Sequence, residues 1–275
     1  MNRDDRHAYD NALARARTAA YGADEFVGQE SFMRATDIIT LATRAEITEQ
    51  STVLDLCCGV AGPGRLITRE FGCAYLGVDA SAAAIELARE RAREMSCRFE
   101  VSHIPPLPSG AYDVVLLLET MLAFRDKERL FNQVAEALNS GGRFAFTVEE
   151  GQPLTHSERA LMPHADTVWL TPLAELLRQL DGAGLRVRWL TDCSCVHQSV
   201  AATLLTCYAD DARNIEAAVG RQALDDLLDA HLLWSDWLLS GRVRKFSVVA
   251  EKPLDINSSR LRATTSGPRK RSNPR

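Results

Sequence analysis

Two aspartates lie at or near the ends of two apolar segments, and both have the chemistry to bind a ligand. Asp55 lies in the run VLDL, and Asp79 ends the run YLGVD 24 positions later. A turn of small residues, CCGVAGPG, follows the first run and leads into a helical pattern. A strand, a tight turn and a helix in this order offer backbone N–H groups and a helix N-terminus to a nucleotide-like ligand. A carboxylate at the end of the second strand can accept both hydroxyls of a ribose.

Asp55 is unusual because it interrupts an apolar strand. A buried carboxylate is costly unless a cation or a hydrogen-bond donor meets it, so we expect such a partner. The glycines of the turn, Gly59, Gly62 and Gly64, do not have the G-x-G-x-x-G spacing of a dinucleotide site. The turn therefore indicates a nucleoside ligand of another kind.

The elements that position these residues alternate between strand and helix. Buried apolar runs between amphipathic helices predict a mostly parallel α/β sheet with helices on both faces. The predicted strands are 53–57, 74–79, 98–102, 112–118, 142–148, 185–192 and 242–252. The predicted helices within this alternation are 63–71, 82–95, 126–139 and 172–181.

Further helical regions are predicted outside this alternation. Helices at 5–20 and 29–44 precede the first strand, and we expect them to form an N-terminal helical cap, residues 1–45, over the carboxyl edge of the sheet. A helical block at 198–240 lies before the last strand and is predicted to cover a substrate within a domain of residues 46–252. Residues 253–275 are predicted to form a disordered basic tail.

Composition and charge disfavour several partners. The 275 residues carry a formal charge of −5, but residues 260–275 hold six of the 32 basic residues and no acid. The remainder has 26 basic and 37 acidic residues, a net charge of −11 that disfavours nucleic acid. Seven cysteines without a C-x-x-C pair favour free thiols and no metal site. No apolar run reaches the roughly 20 residues of a membrane span. The first residues, MNRDDRHAYD, have no apolar stretch, so we expect no secretory signal. We also expect a cytoplasmic protein of unspecified oligomeric state.

The order of these motifs resembles that of class I S-adenosylmethionine-dependent methyltransferases. The family pattern D-x-G-x-G-x-G places its glycines at Cys57, Gly59 and Ala61 of this chain. The segment CGVAGPG is most similar to the variant CG-[VI]-GGP, found in tocopherol, sterol and sugar methyltransferases. The segments GAYDVVLLLET and LNSGGRFAFTVEEG are similar to the family's fourth strand and to the turn before its fifth. The resemblance covers about residues 30–252 and implies a Rossmann-like sheet of seven strands.

The resemblance also implies a cofactor, S-adenosyl-L-methionine, and its binding residues. Asp55, Cys57 and Gly59 would contact the methionine moiety, Asp79 and Ala80 the ribose. The family often has an acid after strand three that binds adenine, where this chain has Ser102 and His103. Ser102 or His103 would hydrogen-bond adenine in its place, or backbone groups alone would serve. Glu119 would border the cofactor.

A methyl acceptor implies a second set of residues, which are Tyr21, Thr120, Glu149, Trp169 and Trp234. His156 and His164 are the candidate bases, because their loop follows strand five and imidazole titrates near neutrality. The [DN]-P-P-[YF] segment typical of nucleic-acid methyltransferases is replaced by LETMLAF. The predicted function is methylation of an O, N or C atom of a small, partly apolar metabolite. The alternatives are a C-methyltransferase acting on a lipid or isoprenoid-like acceptor and a protein that binds S-adenosylmethionine without catalysis.

Overall fold

The computed structural model describes residues 3–254 and contains one sheet of seven strands. Their bounds are β1 Thr52–Leu56, β2 Ala74–Asp79, β3 Cys97–Val101, β4 Tyr112–Leu117, β5 Leu138–Glu150, β6 Arg186–Asp192 and β7 Arg244–Glu251. The strand order is β3-β2-β1-β4-β5-β7-β6, in which β7 alone runs antiparallel to its neighbours. The chain reverses direction across the sheet between β1 and β4, which is where ligands bind in open α/β sheets. The predicted seven-stranded α/β fold is confirmed.

Ten α-helices accompany these strands within the described residues. Their bounds are α1 Arg3–Tyr21, α2 Ala35–Arg44, α3 Gly62–Phe71, α4 Ala82–Arg91, α5 Lys127–Ala137, α6 His156–Leu161, α7 Leu173–Gly182, α8 Ser194–Asp210, α9 Ala212–Val219 and α10 Arg221–Ser240. The predicted helical block before the last strand is three helices, α8 to α10, broken at Asp211 and Gly220. No helix of residues 3–254 is long and apolar enough to cross a membrane.

Apolar side chains cover both faces of the sheet, as strand alternation requires. On one face, α2 and α3 pack over residues that include Val53, Val114, Leu116, Ala145 and Val249. On the other, α5 and α7 pack over residues that include Leu54, Leu56, Val115, Leu117 and Phe146. Asp55, the fourth of the five residues of β1, therefore lies on the same face of the sheet as Val53 and close to the carboxyl edge of the sheet.

The N-terminal region differs from the predicted pair of cap helices. The predicted helix 29–44 begins only at Ala35, because Asp37 Oδ2 accepts the N–H of an extended Arg34 at 3.0 Å. The helix α2 then lies on a face of the sheet, with Ile38 and Leu41 in the core. Only α1 lies with the inserted helices, where Leu13 packs among residues of α8, α9 and α10. The division into domains 1–45 and 46–252 stays a prediction, and the predicted tail lies outside the described residues from residue 255 onward.

Candidate functional site

The turn after β1 adopts a backbone conformation that favours glycine. Cys57, Gly59 and Ala61 have φ angles of 58°, 54° and 62°, in the left-handed region that costs a residue with a Cβ about 1–2 kcal/mol. Two side chains therefore occupy glycine conformations. The turn keeps the backbone path of the glycine motif with one glycine of three, and it delivers the chain into the N-terminus of α3 at Gly62.

Asp79 connects the turns that follow β1, β2 and β3. Its Oδ2 accepts the N–H of Gly59 at 2.9 Å, and its Oδ1 accepts the N–H of Ser81 at 2.8 Å. Its backbone carbonyl accepts the N–H of Ser102 at 2.9 Å. Each carboxylate oxygen has a second lone pair for a ligand hydroxyl. A residue that the sequence singled out as a ligand contact is thus also the structural link of this edge.

Asp55 has the partner that its burial requires, and the partner is a phenol. The hydroxyl of Tyr75, on β2, donates to Asp55 Oδ2 at 2.5 Å. Burial raises the pKa of Asp55 to about 7, with a further upward contribution from Asp79, although the hydrogen bond from Tyr75 lowers it. The Tyr75 ring fits against Gly64, where a Cβ would lie 2.1 Å from the hydroxyl. A buried carboxyl so close to neutral pH is well suited to bind a cationic group, which would restore its charge.

These residues line one cavity of about 210 Å³, here called the β1 cavity. Of the residues predicted from the sequence, its wall includes Asp55, Cys57, Gly59, Asp79, Glu119 and Thr120. Three other predicted residues lie nearby at the ends of β2 and β3, where Ala80 and His103 are exposed and Ser102 is half-buried.

A segment between α1 and α2, residues 26–33, contributes Gly28, Gln29, Glu30 and Ser31 to the wall of the β1 cavity. Gln29 holds it, since the side-chain amide donates to the carbonyls of Glu25 and Met33, both at 2.8 Å, and accepts the N–H of Val27 at 2.6 Å. The hydroxyl of Tyr21 donates to the carbonyl of Ser31. The sequence pattern had suggested a helix here, and no local signal predicted a loop fixed by one glutamine.

The position of segment 26–33 depends on close contact between Gly28 and Gly62. A Cβ on Gly62 would lie 2.5 Å from the carbonyl carbon of Gly28. We therefore expect Gly62→Ala to move residues 26–33, to lower the free energy of unfolding by roughly 1–3 kcal/mol, and to weaken ligand binding in the β1 cavity. Urea unfolding measures the first effect and calorimetric titration the second.

Gly182 provides the matched control, because it is also helical and a Cβ there meets nothing within 4 Å. Gly182→Ala is expected to leave stability unchanged or to raise it by up to about 1 kcal/mol. Equal losses in the two variants would contradict the role of the glycine contact.

A second cavity, of about 390 Å³, adjoins the first and is here called the helical cavity. It is lined from α1, α8, α10 and segment 26–33, and it shares Gln29, Glu30, Ser31 and Glu119 with the β1 cavity. Three residues predicted to contact an acceptor, Tyr21, Glu149 and Trp234, line it. Trp169 lines neither cavity and lies between the guanidinium groups of Arg125 and Arg159, 4.8 and 4.9 Å from its ring centroid.

A buried ionic cluster forms the floor between the two cavities. The ammonium of Lys245, on β7, contacts Glu119 Oε1 at 2.8 Å and Glu149 Oε1. Glu149 and Lys245 are direct cross-strand partners in the antiparallel pairing of β5 and β7. His197 Nδ1, on α8, lies 3.9 Å from Glu119 Oε2, which also accepts the N–H of Phe32 at 3.2 Å.

The two carboxyl groups that share the Lys245 ammonium have pKa values shifted in opposite directions. Burial works to raise the pKa of Glu119, but Lys245 and His197 lower it to about 2. Burial raises the pKa of Glu149, and the nearby charge of Glu119 adds to that rise while Lys245 opposes it. Burial lowers the pKa of His197 to about 4, so its ring is neutral. Lys245 therefore neutralises the charge of the Glu119 carboxylate, and Glu149 is the weaker acid of the two.

Several residues of this site had no signal in the sequence. Lys245 stands in an alternating strand pattern and His197 in a helix, and nothing local distinguishes them from surface residues. Glu30 and Arg17 lie in regions predicted as plain helix, yet they pair at 3.6 Å in the wall of the helical cavity. His231, on α10, lines that cavity as well.

The two histidines predicted as bases lie elsewhere. His156 begins α6 and His164 precedes a short 3₁₀ turn, and both are exposed. Neither lines the β1 cavity or the helical cavity. Their role as a base stays a prediction, and this placement does not support it.

Part of the chain is similar to known proteins. Residues 53–142, from the start of β1 to the turn within β5, match a family described as a methyltransferase domain. Methyltransferase GfsG of Streptomyces halstedii is 29% identical over 38% of this chain, and sterol 24-C-methyltransferase of Eremothecium gossypii is 29% identical over 50%. The chain spans 40% of the length of each.

Solved structures resemble a larger part of the chain. Phosphoethanolamine N-methyltransferase 2 of Haemonchus contortus superposes with a TM-score of 0.73 at 18% identity, over 89% of this chain and 57% of that one. At this identity the likeness shows the fold, which extends beyond the matched segment to the inserted helices and the last strands. The chain therefore contains a segment that matches a methyltransferase domain, within a fold that resembles a solved methyltransferase structure.

Proposed function

We propose that the protein transfers a methyl group from S-adenosylmethionine to a small molecule. The observation that carries this proposal is that the two cavities share wall residues, among them Glu30 and Glu119. The β1 cavity offers carboxylates for a nucleoside and an amino acid moiety, while the helical cavity offers room for an acceptor. Transfer between two ligands needs such adjoining sites, with the reacting atoms aligned and water excluded.

The chain's own residues fit the proposed cofactor. Asp79 would accept the ribose hydroxyls, Asp55 would meet the cationic amino group, and Gly59 leaves open the space that a Cβ would fill near Glu30. The bound cofactor supplies a methyl group on a positively charged sulfur, which is already an activated electrophile. The protein therefore has mainly to position both ligands, and segment 26–33 would shield them from solvent.

The acceptor is proposed only as a small molecule, and neighbours differ in this respect. A sterol 24-C-methyltransferase and a phosphoethanolamine N-methyltransferase, named for acceptors of very different polarity, both resemble this chain. A lipid or isoprenoid-like acceptor remains the alternative within enzymes, and non-catalytic binding of S-adenosylmethionine the alternative outside them. Nucleic acid is disfavoured as a partner by the acidic body of the chain.

Calorimetric titration with S-adenosylhomocysteine tests the cofactor site. We expect binding, and we expect Asp79→Asn to weaken it at least tenfold, because the ribose loses a charged acceptor. Asp113→Asn is the matched control, since Asp113 also accepts backbone and side-chain hydrogen bonds but lies at the opposite end of the sheet, at the start of β4.

Two outcomes would count against the proposal in different ways. Absence of binding by the unmodified protein would overturn the cofactor site itself. Binding without methyl transfer from labelled S-adenosylmethionine to any component of a broad metabolite extract would favour the non-catalytic alternative.

A further inference from the structure

Aromatic rings from four parts of the chain surround the helical cavity. They belong to Tyr9, Tyr21, Phe32, Tyr208, His231 and Trp234. The Tyr208 and His231 rings meet edge to face at 5.0 Å, and the Phe32 and His231 rings at 5.7 Å. Burial lowers the pKa of His231 to about 4, so the wall carries a neutral imidazole at neutral pH. The π faces of Trp, Tyr and Phe attract cations, and grouped rings are how proteins bind ammonium groups.

The charged residues of the same wall are mainly acidic. Glu30, Glu119 and Glu149 line the helical cavity, and Arg17 is the one Lys or Arg side chain that the described residues contribute to it. Arg17 lies 3.6 Å from Glu30 and donates to the hydroxyl of Tyr208 at 3.2 Å. Arg17 pairs with Glu30, whereas the other two carboxyls pair with Lys245, which is not among the residues that line the cavity.

Glu149, a residue of this wall, has one buried oxygen without a hydrogen-bond donor among the described residues. Lys245 is a single ammonium between two carboxyls, and it contacts Oε1 of Glu149. The other oxygen, Glu149 Oε2, is buried and has no hydrogen-bond partner among the described residues. An unsatisfied buried acceptor costs about 1–3 kcal/mol, more when it is charged, so a ligand that donates a hydrogen bond or brings a positive charge here is favoured.

We propose that the methyl acceptor is a small amine, whose nitrogen lies between the Glu149 carboxyl and the aromatic rings of the helical cavity. This inference rests on the proposed methyl transfer and specifies its substrate class. A neutral apolar acceptor would leave Glu149 Oε2 without a donor, whereas an ammonium satisfies both the carboxyl and the π faces. Glu119, which lines both cavities, would mark the side from which the methyl group arrives.

The same placement accounts for the proton. An amine that enters as an ammonium gives one proton to the Glu149 carboxylate and becomes a neutral nucleophile. Its lone pair then forms the N–C bond to the methyl group as the C–S bond breaks, and the bonding pair stays on sulfur, which becomes a neutral thioether. The product carries the new methyl group and the positive charge, and Glu149 later releases its proton to water. The upward shift in the pKa of Glu149 suits this acceptance of a proton.

A matched pair of probes tests the charge preference directly. Choline and its neutral isostere 3,3-dimethyl-1-butanol have almost the same shape and differ in one positive charge. With the full chain saturated with S-adenosylhomocysteine, calorimetric titration is expected to give choline at least tenfold tighter binding than the alcohol. Glu149→Gln is expected to reduce this preference below threefold.

Glu150→Gln is the control, because Glu150 neighbours Glu149 but pairs with Arg244 outside the cavity. It should keep the full preference for choline. Equal binding of the two probes, tighter binding of the alcohol, or no binding of either would overturn the amine acceptor. Failure of S-adenosylhomocysteine itself to bind would instead overturn the proposed function, so the two failures are distinguishable.

Discussion

Asp55→Asn is expected to make the unliganded protein more stable and to make it a poorer binder. Asp55 is buried with a pKa of about 7, against an ordinary value of 3.8, so its ionised form is disfavoured by the fold. Three pKa units correspond to about 4 kcal/mol, from which the unpaired amide N–H groups of asparagine subtract about 1–3 kcal/mol. The hydroxyl of Tyr75 can still donate to the asparagine oxygen. We expect a net gain of roughly 1–3 kcal/mol in the free energy of unfolding at pH 8.

The sign of the pH dependence follows from proton binding. Between pH 4 and pH 7 the folded protein holds a proton on Asp55 that the unfolded chain has lost, so stability falls as the pH rises through that window. Below about pH 4 only the cost of the amide remains, so Asp55→Asn should be the less stable protein there. Its stability relative to the unmodified protein should rise between pH 4 and pH 7 and level off above pH 8. Urea unfolding of both proteins at several pH values measures it. A constant difference across pH would show that Asp55 is not the titrating group.

The cost of Asp55→Asn should appear as weaker binding of the ligand. If Asp55 meets the cationic amino group of S-adenosylhomocysteine, loss of this charge-assisted hydrogen bond removes about 1.5–3 kcal/mol, or roughly 10–100-fold in affinity. A stabilised variant with unchanged affinity would contradict the proposed role of Asp55. Gain of stability and loss of binding together would mark a residue that is kept for function at the expense of the fold.

Lys245→Met is expected to have the largest effect on folding. The substitution leaves Glu119 and Glu149 buried without their shared cation, and removal of one partner of a buried pair costs about 3–5 kcal/mol. For a domain of this size we expect the thermal midpoint to fall by roughly 10 °C. Scanning calorimetry or thermal unfolding followed by circular dichroism measures the change.

Two comparisons make the result interpretable. Arg244→Met breaks the neighbouring cross-strand pair with Glu150, but Arg244 is half-exposed and the loss should not exceed about 1 kcal/mol. Adding Glu119→Gln and Glu149→Gln to Lys245→Met removes both stranded charges and should recover much of the loss. If the triple variant were no more stable than Lys245→Met, the cost would come from packing and not from charge.

The turn around Asp55 and Gly59 was predictable because its signals are local. Small residues, a strand before them and a helix after them lie within about 20 positions, and Asp79 follows at the end of the next strand. Parallel strands bring their carboxyl ends to one edge, so Asp55 and Asp79 had to be close. Cys57 and Ala61 keep the backbone conformation that favours glycine, although both residues have a Cβ.

The residues in and beside the helical cavity were not predictable in the same way. Glu149 and Lys245 are 96 positions apart and meet only because β7 pairs antiparallel with β5. His197 reaches Glu119 because α8 folds back over the same edge. The exposed His156 and His164 had the right chemistry and a plausible place in the chain, but a loop's path depends on packing that no short pattern records.

The sequence by itself determined the order of strands and helices, the turn after β1 and the pair Asp55 and Asp79, because each rests on neighbours in the chain and on the side-chain periods of strand and helix. Tertiary structure alone decided what occupies the space beyond them. The segment 26–33, the cluster around Lys245 and the aromatic wall of the helical cavity join residues that are far apart in the chain. They come together through the pairing of β7 with β5 and the packing of the inserted helices on α1.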